Sequence, residues 1–235
     1  MTVLGIETAT DACAAAVVRD GEVLDESFLQ EPHIHAEMLM SQIDQVLGPL
    51  EKGIHEVDGI AVSIGPGSFT GLRIGLSVAK GLAWSTEKKL VAVPTLRALA
   101  RKAVDEGCFG LPVFVLPVLD ARRDEVYCQL FQADDRGLVP LWAERVMTLD
   151  LLCNTLGELD VVVTGEAALK LCGYSEQRTN AVAHLRCPSR EIARCSAAII
   201  ALEGEAELRR GNHIEPATVE PLYVKEFQTN LTSGA

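Results

Sequence analysis

Basic residues are scarce in this chain and nowhere do they gather. Lys and Arg number 21 against 33 Asp and Glu, giving a formal charge of −12 and a pI near 4.9, and there is no basic run interleaved with aromatics. Phosphate contacts need clustered Lys or Arg, so direct nucleic-acid binding by this chain alone is disfavoured, and a basic protein partner is easier to accommodate. Long apolar runs are lacking too. No segment is long enough to span a bilayer, and the opening Met1-Thr2-Val3-Leu4-Gly5-Ile6-Glu7 has no charged region before a long apolar stretch. The expectation is a cytoplasmic protein with no membrane attachment.

The seven cysteines are never spaced Cys-x-x-Cys. Odd in number and scattered through apolar contexts such as Ala12-Cys13-Ala14 and Leu151-Leu152-Cys153, they read as reduced core thiols. Metal-binding histidine patterns are missing as well. Of the five histidines, only His33 and His35 are close, and a spacing of two puts them on divergent sides of a helix. With Glu37 they make a nominal H-x-H-x-E, but His35 fits a local role at a helix start better than a metal site, and no metal is expected. At 235 residues and 48% hydrophobic, the chain is long enough for a sizeable core in one large domain or two small ones.

What the chain does have is the run Ser63-Ile64-Gly65-Pro66-Gly67-Ser68-Phe69-Thr70-Gly71-Leu72-Arg73-Ile74-Gly75. It follows a short apolar stretch, Gly59 to Ile64, of the kind that forms a strand buried on both faces. Gly65 and Gly67 permit positive φ, Pro66 stiffens the turn, and Ser68 or Thr70 caps the helix that follows. Gly71, Gly75 and Ala79 recur every four residues and leave one helix face nearly bare, so that a backbone can approach it closely. The loop misses the dinucleotide fingerprint, has no Walker lysine, and lacks the G-x-S-x-G nucleophile elbow. It reads as a tight turn with close helix packing first and as a phosphate cradle second.

Secondary-structure signals repeat along the chain. Strands are expected at Thr2–Glu7, Cys13–Arg19 and Glu22–Leu29, with Asp20-Gly21 as a hairpin turn. A helix from Ala36, the strand Gly59–Ile64, a helix from Ser68 to about Ser85, a strand at Leu90–Val93 and a helix from Thr95 to Glu106 follow. The order then restarts: strands at Pro112–Leu119, Glu125–Gln132 and Leu138–Val146, helix Leu149–Leu156, strand Asp160–Thr164 and helix Ala167–Cys172, closed by a long helix from Ser189 to Arg210. Two β-β-β-α-β-α halves result, residues 1–105 and 106–214, with an extended tail at 215–235. An acid ends the first strand of each half, Glu7 and Asp120. The expected fold is α/β, the actin-like ATPase and sugar-kinase arrangement, with the two carboxylates facing a cleft between the halves.

Several segments then resemble one family. Gly5-Ile6-Glu7-Thr8-Ala9-Thr10 resembles its opening G-I-E-T-S-T, and His35-Ala36-Glu37-Met38-Leu39 its H-S-E-x-L helix start. The glycine run is its long signature. Leu119 to Tyr127 resembles its D-A-R-x-x-E-V-Y segment, and Glu220-Pro221-Leu222-Tyr223-Val224-Lys225 its terminal P-x-Y-x-R, with lysine for arginine. The chain is thereby similar to the bacterial tRNA threonylcarbamoyladenosine biosynthesis subunits of the glycoprotease-like family.

The resemblance implies a non-catalytic subunit in making N6-threonylcarbamoyladenosine at position 37 of tRNAs that read codons beginning with A. It implies pairing with the larger transferase TsaD, action of the small ATPase TsaE on the pair, and contact with tRNA only through the complex. A homodimer is expected when TsaD is absent. The helices starting near His35 and Ser68 are expected to meet TsaD through His35, Leu39, Ile43, Gly71, Leu72, Gly75 and Ala79. Glu7, Thr8, Gly65, Gly67, Ser68 and Asp120 are the candidate cleft or nucleotide residues, with ATP or ADP held only at the junction with TsaD. An ATPase or metallopeptidase-like enzyme of the same fold is the alternative. It needs metal ligands or adenosine-side segments that the sequence does not supply, and Arg122 and Arg123 are expected to pair with acids such as Glu125.

Overall fold

A computed structural model describes residues 1–31, 34–107, 109–178, 184–187, 189 and 193–225. Strands β1 (Thr2–Glu7), β2 (Ala12–Arg19) and β3 (Glu22–Gln30) form an antiparallel meander. At its β2–β3 turn, Asp20 and Gly21 both take positive φ, as a two-residue hairpin matched to strand twist requires. Helix α1 (His35–Leu47) leads to β4 (Gly59–Gly65), and α2 (Phe69–Thr86) to β5 (Lys89–Pro94). Both strands add in parallel on the other side of β1, giving the order β3-β2-β1-β4-β5.

Helix α3 (Thr95–Glu106) carries the chain to the second sheet, where β6 (Val113–Arg122) takes the place of β1. The strands expected at Glu125–Gln132 and Leu138–Val146 each break in two. β7 (Glu125–Cys128) pairs with the far end of β6 and β8 (Phe131–Asp134) with its start; β9 (Gly137–Pro140) and β10 (Arg145–Thr148) pair with β8 and β7 respectively. The cause is visible in burial. Cys128, Gln129, Leu130 and Phe131 are all buried, so the alternation of a continuous strand fails there, and the Gln129 amide turns to donate to the Trp142 carbonyl (3.1 Å). Helix α4 (Leu149–Leu156), β11 (Asp160–Thr164), α5 (Ala168–Glu176) and the three-residue β12 (His184–Arg186) complete a path equivalent to the first sheet. β12 is too short to leave an alternating signal in the sequence.

The expected helix from Ser189 is shorter: α6 spans Ala197–Arg209, after an extended Ser196. Residues 190–192 lie outside the described residues, as do His33, 179–183 and the tail from 226.

The helices layer the molecule. α1 and α2 cover the outer face of the first sheet, with Leu39, Ile43 and Val46 packed among Leu4, Ile6, Cys13, Ile60 and Val62. α4 and α5 cover the outer face of the second sheet. Between the sheets the two remaining helices exchange halves. α6 lies on β1, β2 and β4 of the first sheet, and α3 lies against β6 and β11 of the second as well as on its own sheet. Glycine makes the first contact tight: a Cβ on Gly5 would land on the Ala197 carbonyl, and one on Gly204 would land on the Ala61 methyl.

The expectation of reduced thiols fails for one pair, because Cys172 and Cys187 are joined as a disulfide. Cys13, Cys128, Cys153 and Cys195 are free and buried. Burial pushes the Cys13 thiol up to about 11 and Cys128 up to about 12, so neither offers thiolate at neutral pH. No helix among the described residues is long and apolar enough to cross a membrane.

Candidate functional site

The glycine run turns inward. After β4 the chain passes through Gly65 at φ +115° and a cis Gly65–Pro66 bond, then enters α2. Ser68 is its N-cap, the Oγ accepting from the Gly71 N–H at 3.3 Å. The Ser68 N–H donates to the Ala9 carbonyl at 2.6 Å, and the Thr8 hydroxyl donates to the Gly71 carbonyl at 2.9 Å. A Cβ on Gly67 would fall on the Ala9 carbonyl, one on Gly71 on the Thr8 carbonyl, and one on Gly75 on the Thr8 hydroxyl. Four small positions thus fasten the loop and helix onto the end of β1. That close approach is what the glycines serve, and it fixes the cleft edge to the sheet core. Ser68→Ala is expected to lower stability by about 1 kcal/mol, the usual worth of an N-cap, in urea unfolding.

A cleft of about 1000 Å³ opens beside this loop. One wall is Gly67, Ser68 and Thr70 with Thr10 and His35; the other is Asp120, Arg122, Arg123 and Glu166; the C-terminal residues Leu222 to Lys225 close one end. His35 stands at the helix start as expected, its Nε2 bonded at 3.1 Å to both the Thr10 and Ala12 carbonyls, which pins the β1–β2 turn.

Of the six candidate cleft residues, Gly67, Ser68 and Asp120 line the cavity. Glu7 does not. The pleat of β1 turns it inward, fully buried, where Oε1 accepts from the Ala9 N–H (2.7 Å) and Oε2 from the Cys195 thiol (3.3 Å). Burial outweighs those hydrogen bonds and that from Ser63, and lifts its pKa to about 7. Thr8 is likewise buried, and Gly65 lies under the Leu222 carbonyl. The expectation of two carboxylates facing one another across the cleft is therefore corrected: Asp120 stands there without Glu7. Asp120 instead bonds Lys170 at 3.2 Å.

The seven residues expected to meet a partner are buried within this chain, with His35, Gly71 and Leu72 also bordering the cleft. His35 is 7% exposed and Leu39, Ile43, Leu72 and Ala79 are at 1% or less, while Gly71 and Gly75 close on Thr8. The apolar periodicity that singled them out is the signature of the core-facing stripe. The opposite stripes carry Met40 on α1, 46% exposed, and Trp84 on α2, 75% exposed.

The second wall holds Glu166, which no sequence signal singled out, and Arg122 and Arg123, which were expected to pair with acids. Arg122, Arg123 and Asp124 all take positive φ in the β6–β7 turn. The two guanidinium groups do not reach Glu125, which is paired with Lys225 at 2.5 Å. Glu166 follows Gly165 after β11 just as Pro66 follows Gly65 after β4, so superposing the two halves would have found it. Its carboxyl is raised, first by partial desolvation in the cleft wall and further by the nearby Asp11 and Asp120 carboxylates, against a lowering bond from the Asp120 N–H.

Comparison with known proteins agrees with the sequence resemblance. The family profile described as TsaD, tRNA N6-adenosine threonylcarbamoyltransferase, matches residues 30–155, more than half of the chain. The tRNA threonylcarbamoyladenosine biosynthesis protein TsaB of Escherichia coli (strain K12) is 35% identical over 138 residues, 59% of this chain and 58% of that protein. The matched stretch thus spans little more than half the length of that curated relative. YeaZ from Pseudomonas aeruginosa superposes with a TM-score of 0.78 at 28% identity, covering 94% of this chain and 99% of that one. Lmo2764 of Listeria monocytogenes, a putative N-acetylmannosamine kinase, shares the fold alone, with a TM-score of 0.51 at 11% identity over 90% of this chain and 100% of that one. The two-sheet path is that of the actin-like and sugar-kinase fold, and the chain belongs to the TsaD-type tRNA N6-adenosine threonylcarbamoyltransferase family, in its TsaB (YeaZ) branch.

Proposed function

We propose that this chain is a non-catalytic subunit in forming N6-threonylcarbamoyladenosine at position 37 of tRNAs that read codons beginning with A. It pairs with TsaD, TsaE acts on the pair, and tRNA is reached only through the complex. The observation that carries this reading is the direction of the signature. Its glycines are used against Thr8 and Ala9 and its buried acid is walled off behind them, an arrangement that stiffens a scaffold and leaves for docking the outer stripe of α1 and, on α2, the carboxy-terminal part of the outer stripe at Trp84. Met40 and Trp84 mark those stripes, and large exposed apolar side chains of this kind are the usual anchors of an interface. Without TsaD the same stripes join two copies. ATP or ADP belongs to the junction with TsaD, beside Ser68 and Asp120.

The test is reconstitution of tRNA modification from the threonylcarbamoyl-adenylate synthase, TsaD and TsaE, with and without this chain. Modified adenosine is expected only with the chain present, to survive Asp120→Ala, and to fall at least about tenfold with Trp84→Glu, as loss of an aromatic anchor does. If Asp120→Ala abolishes modification while the complex still assembles, the cleft contributes chemistry or nucleotide binding and the non-catalytic reading is wrong.

A further inference from the structure

A second, smaller concavity of about 340 Å³ runs along α2, walled on its far side by the chain from Val219 to Tyr223. Its polar groups are arranged for an anion. Arg73, Ser77 and Lys80 fall at i, i+4 and i+7, on one face of α2. Arg73 is held in place twice over: its Nε donates to the Tyr223 hydroxyl at 3.1 Å, and its guanidinium lies 3.8 Å over the Phe69 ring, which in turn packs against the Tyr223 ring at 5.4 Å. Among the described residues, this leaves the two terminal nitrogens of the fork uncommitted.

Elsewhere in this acidic molecule the cations are commonly matched with carboxylates, as in Arg19–Glu56, Arg97–Glu203, Arg178–Asp150 and Lys225–Glu125. Among the described residues, neither Arg73 nor Lys80 forms a salt bridge with an acid. The remaining wall, Leu76, Val219 and Pro221, is apolar.

We infer that this groove binds a carboxylate carried on an apolar body. The charge count selects that class. Arg73 and Lys80 set against Glu220, the acid of the groove, leave one positive charge, which a monocarboxylate neutralises and a phosphate dianion would exceed. The end of the Arg73 fork presents two parallel N–H groups to a planar carboxylate, Lys80 adds a point charge and Ser77 a hydroxyl donor. The apolar wall covers the hydrocarbon part of the ligand, as in small-molecule sites of this size. The carboxylate has two sources, a free organic acid or the C-terminus of a peptide.

The experiment titrates the full chain with benzoate and with the dipeptide acetyl-Ala-Leu bearing a free carboxylate. Benzamide and the dipeptide amide are neutral controls, and calorimetry is followed together with backbone amide shifts. Saturable one-to-one binding of either acid is expected, with shifts over residues 73–80 and 219–223 and a response to the neutral partner weaker by roughly tenfold, the effect of losing one charge-assisted pair. Arg73→Gln and Lys80→Gln should each weaken binding, Arg73→Gln the more. Benzoate alone identifies a small-molecule site, and the dipeptide alone identifies a chain-end site. Equal binding of acid and amide, binding of neither acid, or loss with Arg122→Gln/Arg123→Gln in place of Arg73→Gln overturns the inference. Should Arg73→Gln fail to fold, Lys80→Gln and the amide shifts of the unmodified chain decide it.

Discussion

Gly71→Ala is expected to cost about 3 kcal/mol or more and Gly75→Leu to leave no cooperative unfolding transition at all, in a domain whose whole stability is of the order of 5–15 kcal/mol. Helix propensity alone points the other way, since alanine in a helix interior gains about 1 kcal/mol over glycine. Position decides the sign. At Gly71 the new methyl meets the Thr8 carbonyl, which is backbone and cannot swing aside, and at Gly75 it meets a hydroxyl already committed to the Gly71 carbonyl. Gly81, on the same helix, has nothing within 4 Å of its Cβ direction and is exposed. Gly81→Ala should therefore raise stability by about 1 kcal/mol. Urea unfolding of the three variants separates close packing from propensity. Equal gains at Gly71 and Gly81 would refute the inward reading of the signature.

Glu7→Gln is expected to make the protein more stable at pH 8 by about 3 kcal/mol and to leave it nearly unchanged below pH 4.5. The sign follows from the buried carboxyl. Its pKa is about 7 in the folded chain against 4.5 for the free side chain, so between those values the folded state holds a proton that the unfolded state has released. Stability from keeping this group neutral is fully present below 4.5 and is lost as pH rises through about 7. Glutamine is uncharged throughout, and its Oε1 still accepts from the Ala9 N–H. The measurement is the difference between variant and parent stability from pH 4.5 to 8.5, which cancels the other titrating groups. A flat difference would mean that Glu7 is ionised in the fold and solvated from the cleft.

The two prominent signals in the sequence, the glycine run and the doubled strand order, led to the fold. Their meaning at single positions was less legible. Period and spacing locate a helix and its buried stripe, so Leu39, Ile43 and Ala79 were found, but the same regularity cannot say whether the covering layer belongs to this chain or to another. Only the strand register settles that, by placing Thr8 under α2. Glu7 was misplaced for a related reason. The last residue of a buried strand points into the core or into the cleft according to the pleat, and a one-residue change of parity reverses the answer. Glu166 lies in a turn with no period to betray it, and Arg122 and Arg123 were expected to pair with Glu125, which Lys225 occupies instead. The break between β7 and β8 was invisible because its run of buried residues, Cys128 to Phe131, looks in sequence like an ordinary apolar strand.

The exchange of α3 and α6 between the halves also governs how the chain acquires its shape. The first sheet presents Val3, Ala61 and Val91 to Ile200 and Ala201 of α6, yet nearly 140 residues separate Ala61 from Ile200. On a ribosome the amino-terminal half would emerge with that face uncovered and keep it so until the last helix appeared. Contacts of such long sequence separation close slowly, because the loop entropy must be spent before they form. Assembly is thus all or nothing and late. A chain stopped short of α6 would display the apolar face of its first sheet to whatever chaperone or protease reached it first.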